Sequence, residues 1–236
     1  MGKQIRVGWL VVLALAWLHT SAQAAEPIRI GAIFSVTGPA SFLGEPERNT
    51  AKMLEEQVNR DGGLLGRKVE VIVYDDEYDA TKAVTAVDRL IKRDRVVAIV
   101  GPSGSGSTLA IVPKVEEAKI PLISCAAAKK IAEPVKRWVF KTPQNDGLMA
   151  GAIADHMAKN GVKTVGYIGF NDAYGESWLQ EFKKAGEAKG LKIYRTFVGN
   201  FMTAIDMAGA SISILRLDAE TKALLDAAAD TPALKI

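Results

Sequence analysis

Val96-Val97-Ala98-Ile99-Val100-Gly101-Pro102-Ser103-Gly104-Ser105-Gly106-Ser107-Thr108 is the stretch whose reading decides the fold. Its β-branched-rich opening predicts a buried strand, the Gly/Ser segment a tight turn, and Leu109-Ala110-Ile111-Val112 the start of a helix. A helix beginning just past a strand's carboxyl end aims unpaired backbone N–H groups and the positive end of its dipole beyond the sheet. A carboxylate or phosphate is stabilised there without any catalytic residue. Ser103, Ser105, Ser107 and Thr108 add hydroxyls able to donate to the same anion, and Gly106 belongs to the same turn. The expectation is a grip on the anionic end of a small molecule that is carried and not transformed.

Other glycine-rich motifs fail at defined positions. Gly101-x4-Gly106-Ser107-Thr108 has Ser107 where a P-loop needs its phosphate-binding lysine. Leu109 stands where a dinucleotide fingerprint needs its third glycine. No frame through Ser103, Ser105 or Ser107 supplies both glycines of a nucleophile elbow. The plain alternative is a strand-to-helix turn with no ligand.

Upstream, Ile28 to Phe34 predicts a strand, nearly continuous in apolar character as a sheet buried on both faces requires. Ala40 to Gly44 reads as a loop at its carboxyl end, before a helix that Pro46 opens as first residue, with Ala51, Leu54 and Val58 as its apolar stripe. Val69 to Tyr74 is the second strand. The acidic turn Asp75-Asp76-Glu77-Tyr78-Asp79 lacks the glycine and distal glutamate of a calcium loop, so Asp79 is read as the cap of the next helix, whose Ala83, Val87, Leu90 and Ile91 face inward. The rhythm β-α-β-α-β-α makes a parallel sheet with right-handed crossovers.

Downstream, Pro113 is expected to kink or shorten the third helix. Ile120 to Ser124 is a fourth strand, and the small residues Cys125-Ala126-Ala127-Ala128 after it either let a ligand approach the backbone or start a helix. Val139 to Thr142 is a fifth strand and Pro143 to Asp146 a crossover. The rhythm then restarts with a helix from Gly147 to Asn160, a strand from Thr164 to Gly169, the loop Asn171 to Gly175 and a helix burying Trp178, Phe182 and Ala185. Two α/β lobes with both sets of strand ends facing one cleft make a natural small-molecule site.

The opening residues fit a secretory signal peptide: Lys3 and Arg6, an apolar run from Gly8 to Leu18 too short to span a bilayer, and Ala22-Gln23-Ala24 for cleavage. Loss of residues 1–24 leaves 28 basic against 27 acidic side chains, which calls for neither nucleic acid nor an anionic membrane. The single cysteine, Cys125, excludes an intrachain disulfide, so stability rests on a packed core. With His19 in the signal peptide, only His156 remains as an imidazole base, on an expected helix remote from Ser105 and Cys125, which argues against a hydrolase. No metal or cofactor is called for.

Several motifs recur in a specific order: Ile30-Gly31-Ala32, Thr37-Gly38-Pro39, Asp61-Gly62-Gly63, Tyr74-Asp75-Asp76, Val100-Gly101-Pro102 with its serine turn, Ile120 to Ser124, Phe140-Lys141-Thr142 and Tyr174-Gly175. Through about residues 26 to 198 the chain resembles periplasmic solute-binding proteins of ABC importers, in the leucine/isoleucine/valine-binding family. The resemblance implies a type I periplasmic-binding-protein fold, with a parallel sheet flanked by helices in lobe one (25–144) and an incomplete second α/β lobe (145–198). It implies a non-enzymatic protein of the periplasm that binds a small carboxylate or amino acid between its lobes and delivers it to a membrane permease. Carried onto this sequence, the ligand carboxylate falls to Ser105, a backbone carbonyl and a hydroxyl position to Ala126 and Ala128, a second-lobe tyrosine to Tyr174, and an aromatic cover to Leu43 beside Phe42. Ala128 lacks the expected hydroxyl, which turns the reading from an α-amino acid toward an aromatic or aliphatic carboxylate. Residues 199–236 depart from the motif pattern and are read as a truncated or frame-shifted tail, so a non-functional fragment is one alternative and a ligand-sensing module of the same fold another.

Overall fold

Seven strands and five α-helices alternate along residues 25–198, the part of the chain that the computed structural model describes. The expected signal peptide and the tail after 199 lie outside the described residues. Lobe one runs β1 (Ile28–Phe34), α1 (Ser41–Arg60), β2 (Val69–Asp75), α2 (Ala80–Arg89), β3 (Ala98–Val100), α3 (Ser105–Ala118), β4 (Leu122–Ser124) and β5 (Val139–Lys141). Lobe two runs α4 (Asp146–Lys159), β6 (Thr164–Phe170), α5 (Ala173–Glu187) and β7 (Lys192–Val198).

The first sheet is parallel throughout, in the order β2-β1-β3-β4-β5. The chain steps from β1 outward to β2 and then back past β1 to β3. Right-handed crossovers in opposite directions put α1 on one face and α2 on the other, where α2 packs against α3. Ile33, Val87, Leu90, Ile99, Ile111, Val115 and Leu122 fill that second face and are fully buried. Asp79 caps α2 as expected, accepting from the Thr81 and Lys82 amides at 2.7 and 3.0 Å. Lobe two has a separate core around Ala150, Ala154, Phe182 and Leu191, over the parallel pair β6-β7.

Four expectations need correction. First, α1 begins at Ser41, not Pro46, and absorbs the expected Ala40–Gly44 loop. Gly44 makes this turn feasible: a Cβ there would collide with the Ser35 backbone, so only glycine lets the helix press on the end of β1. Second, the stripe Ala51, Leu54 and Val58 is not buried; Leu54 is 48% exposed and lines an apolar groove of about 520 Å³ between α1 and Ile30, Phe34, Val71 and Val100 of the sheet. Third, Pro113 does not shorten α3, which continues through it to Ala118 with the proline ring on the exposed face. Fourth, the serine turn is itself helix: α3 starts at Ser105, with Gly104 as its N-cap.

Candidate functional site

The N-terminus of α3 follows β3 through a cis Gly101–Pro102 bond and Gly101 at φ +91°, where a Cβ would strike the Ile33 carbonyl. Gly104 supplies no side-chain cap, so the first-turn amides of α3 have no hydroxyl or carboxylate from the cap residue. Ser105 is the first helical residue and is 2% exposed. Its Oγ accepts the Ala128 N–H at 3.3 Å, fixing the loop after β4 against the helix start. A hydroxyl that accepts one bond keeps its own proton to donate.

Two of the four hydroxyls expected to meet an anion are used inside lobe one. Ser103 donates to Glu47 and accepts from the Ser35 amide. Thr108 donates back to the Gly104 carbonyl at 2.9 Å and meets Ser124 Oγ at 3.0 Å. Ser105 and Ser107 remain as the site's hydroxyls. Ser124 also accepts from the Ala126 amide at 3.1 Å, so Ala126 and Ala128 both stand against the α3 N-terminus. The segment after β4 does not start a helix at Ala126; a 3-10 turn follows at Lys129–Ile131.

Lobe two reaches the same place. A Cβ on Gly106 would lie 4.0 Å from Ala173 Cβ, the first residue of α5. Tyr174 follows it, half-buried, its ring 6.2 Å from that of Phe170, and burial pushes its hydroxyl above the ordinary tyrosine range. Asp172 caps α5, accepting from the Tyr174 and Gly175 amides at 3.0 and 2.9 Å. Ser105, Gly106, Ala126, Ala128 and Tyr174 thus gather where the lobes meet. Phe42 and Leu43 sit on the first turn of α1, 47% and 36% exposed, at the same carboxyl end of the sheet.

Three further groups at the lobe junction carry no local sequence signal. Asp146, fully buried at the start of α4, accepts from the Lys129 amide of lobe one at 3.1 Å and from the Ser177 hydroxyl of α5. Lys129 Nζ pairs with Glu181 of α5 at 3.2 Å, which holds its pKa above the ordinary lysine range. Tyr78 donates its hydroxyl to Asp172 Oδ2 at 2.8 Å, and burial together with the Asp172 charge raises its pKa, so it stays protonated.

The acidic turn is engaged in holding the fold. Burial pushes the Asp75 carboxyl up, but bonds from Thr37, Glu77 and Val36 together hold it below the usual carboxylate range. Glu77 pairs with Lys82 at 2.6 Å. Cys125 lines the groove beside α1, and burial, with the Glu47 charge beside it, pushes its thiol up to about 12. Such a thiol is protonated at neutral pH and a poor nucleophile.

Residues 27–234 match the family described as periplasmic binding protein, a match that runs past 198 into the stretch expected to depart from the pattern. A leucine-, isoleucine-, valine-, threonine- and alanine-binding protein of Pseudomonas aeruginosa is 31% identical over 185 residues, 77% of this chain and 49% of that protein. Among solved structures, an extracellular ligand-binding receptor from Rhodopseudomonas palustris HaA2 superposes with a TM-score of 0.68 at 34% identity, covering 74% of this chain and 48% of that one. A solute-binding protein of an ABC transporter from Rhodopseudomonas palustris BisB5, in complex with 3,4-dihydroxybenzoic acid, gives 0.65 at 28% identity, covering 73% and 47%. The chain spans about half the length of these relatives, whose names describe ligand- or solute-binding proteins. With its parallel first sheet, second α/β lobe and family match across most of its length, this chain belongs to the type I periplasmic binding proteins.

Proposed function

We propose that this protein is the solute-binding component of an ABC importer, exported to the periplasm by residues 1–24, and that it holds a small aromatic or aliphatic carboxylate for a membrane permease. The observation that carries this reading is the N-terminus of α3, with Ser105 at its first position, lying against the start of α5 with Tyr174. Backbone amides and the helix dipole stabilise the carboxylate, and the Ser105 hydroxyl donates to it. Ala126 and Ala128 form the adjacent wall. Ala128 is fully buried and has no hydroxyl to fix an ammonium-bearing backbone, which disfavours an α-amino acid. The complex of the BisB5 relative with 3,4-dihydroxybenzoic acid, an aromatic carboxylate, supports the same choice. Among the described residues the Ser105 hydroxyl bonds to the Ala128 amide and not to a base that could activate it, which supports a ligand that leaves unchanged.

The test is isothermal titration of the secreted chain with benzoate, 3,4-dihydroxybenzoate, octanoate, L-leucine and L-alanine, followed by recovery of the ligand. Saturable one-to-one binding of an aromatic or aliphatic carboxylate, recovered intact and lost in Ser105→Ala, is the expected result. Binding of amino acids alone overturns the ligand class. Binding of no carboxylate, or conversion of one, overturns the function.

A further inference from the structure

We infer that Tyr78 is a positioning residue that reaches from the turn after β2 across the start of α3 to tie the two lobes together, and so sets ligand affinity without touching the ligand. The affinity consequence rests on the function proposed above; the tie itself does not. Tyr78 follows β2, one edge strand of the first sheet, whereas the chain leaves for lobe two after β5, the opposite edge. With neighbouring strands about 4.8 Å apart, four strand spacings put the two edges roughly 19 Å from each other. Lys129 and Asp146 lie beside the crossover, where the lobes stay close in any hinge motion, whereas the Tyr78 bond joins the close approach of Gly106 to Ala173 at the start of α5. Because its ring crosses Gly104 at the start of α3, the Tyr78 bond holds the start of α5 at a place on lobe one that the crossover does not secure.

The local structure is shaped to present this one hydroxyl. Glu77 and Tyr78 both adopt left-handed backbone, φ +51° and +64°, an uncommon state for two successive non-glycine residues and costly for a ring-bearing one. The Tyr78 amide is held by Asp76 Oδ1 at 3.0 Å. Its ring lies on Gly104, where a Cβ would come within 2.5 Å of Cε2, so the N-cap of α3 has no side chain because the tyrosine occupies that space. The hydroxyl meets one oxygen of Asp172 while the other oxygen caps α5. The path Asp76, Tyr78, Asp172 therefore joins the turn after β2 to the helix start that carries Tyr174.

The experiment compares small-angle X-ray scattering of the ligand-free chain with that of Tyr78→Phe, Asp172→Ser and the double variant. Phenylalanine keeps the packing on Gly104, and serine keeps a cap oxygen too short to reach Tyr78. The radius of gyration is expected to rise in each single variant and no further in the double variant, with circular dichroism unchanged. Affinity for the carboxylate found by titration falls about tenfold in Tyr78→Phe. Unaltered scattering in Tyr78→Phe, or additive expansion in the double variant, overturns the tie. Failure of every carboxylate to bind the parent chain overturns the proposed function instead, and leaves the scattering comparison to decide the tie.

Discussion

The Oγ of Ser105 accepts the amide proton of Ala128 at 3.3 Å, joining the start of α3 to the loop after β4 inside a fully buried contact. One oxygen thus serves the fold as an acceptor and the proposed ligand as a donor. Ser105→Ala removes both roles. The stranded Ala128 N–H costs about 1–3 kcal/mol, read by urea denaturation, and carboxylate affinity falls at least about tenfold. Ser105→Thr retains the oxygen and recovers most of the stability, which separates loss of the hydroxyl from general disruption.

Asp146 is a single side chain that serves both lobes. It is fully buried and accepts from the Lys129 amide, the Ser177 hydroxyl and the Gly147 amide. Asp146→Ala leaves a buried hydroxyl and a part-buried amide without their acceptor, and bonds to a charged group are worth roughly 1.5–3 kcal/mol each. The variant is expected to lose more stability than Ser105→Ala by the same denaturation assay. A loss under about 0.5 kcal/mol would mean that water replaces the carboxylate at this junction.

Glu47 gives stability a defined pH dependence. Burial raises its folded pKa above the ordinary value of 4.5, outweighing the bonds from Ser103 and Cys125. The folded state therefore holds this proton more tightly than the unfolded chain does, and its contribution is lost as pH climbs from the unfolded pKa through the folded one. Glu47→Gln is neutral throughout, so the variant-minus-parent difference in unfolding free energy rises with pH across that window and is flat below it. The same change removes the charge beside Cys125 and lowers its thiol pKa from about 12, which speeds its reaction with a disulfide reagent at pH 8.

The alternation of strands and helices was legible because each element carries its own signal. Val69 to Tyr74 is apolar between turn residues, and Asp79 offers an oxygen two and three residues before free amides. The start of α1 was not legible: Gly44 read as the end of a loop and Pro46 as the first helical residue, and only the closeness of the Ser35 backbone shows why glycine is needed within a helix. Ser103 and Thr108 looked like ligand donors because their partners, Glu47 and Ser124, are 56 and 16 residues away. The Tyr78–Asp172 bond spans 94 residues and leaves no trace in local pattern. Ser105 and Tyr174 were named from the resemblance to a family of binding proteins, and the structure brings both to the lobe junction.

Gly175 sets how close α5 comes to β6, and through that where Tyr174 stands. A Cβ at this position would overlap the Phe170 carbonyl, a backbone atom that cannot swing aside. The Tyr167 hydroxyl also donates to the Gly175 carbonyl at 3.0 Å, so the helix start is held from the strand on two sides. Gly175→Ala gains a little helix propensity but must push α5 away from β6, and overpacking of this kind costs about 1–3 kcal/mol. The displaced helix start carries Asp172 and Tyr174 with it, so the variant should lose both stability in urea and carboxylate affinity. Gly151→Ala in α4, where a Cβ meets nothing within 4 Å, is the matched control and should hold or raise stability with binding unchanged. Equal behaviour of the two variants would show that α5 tolerates the shift and that Gly175 does not fix the lobe-two side of the site.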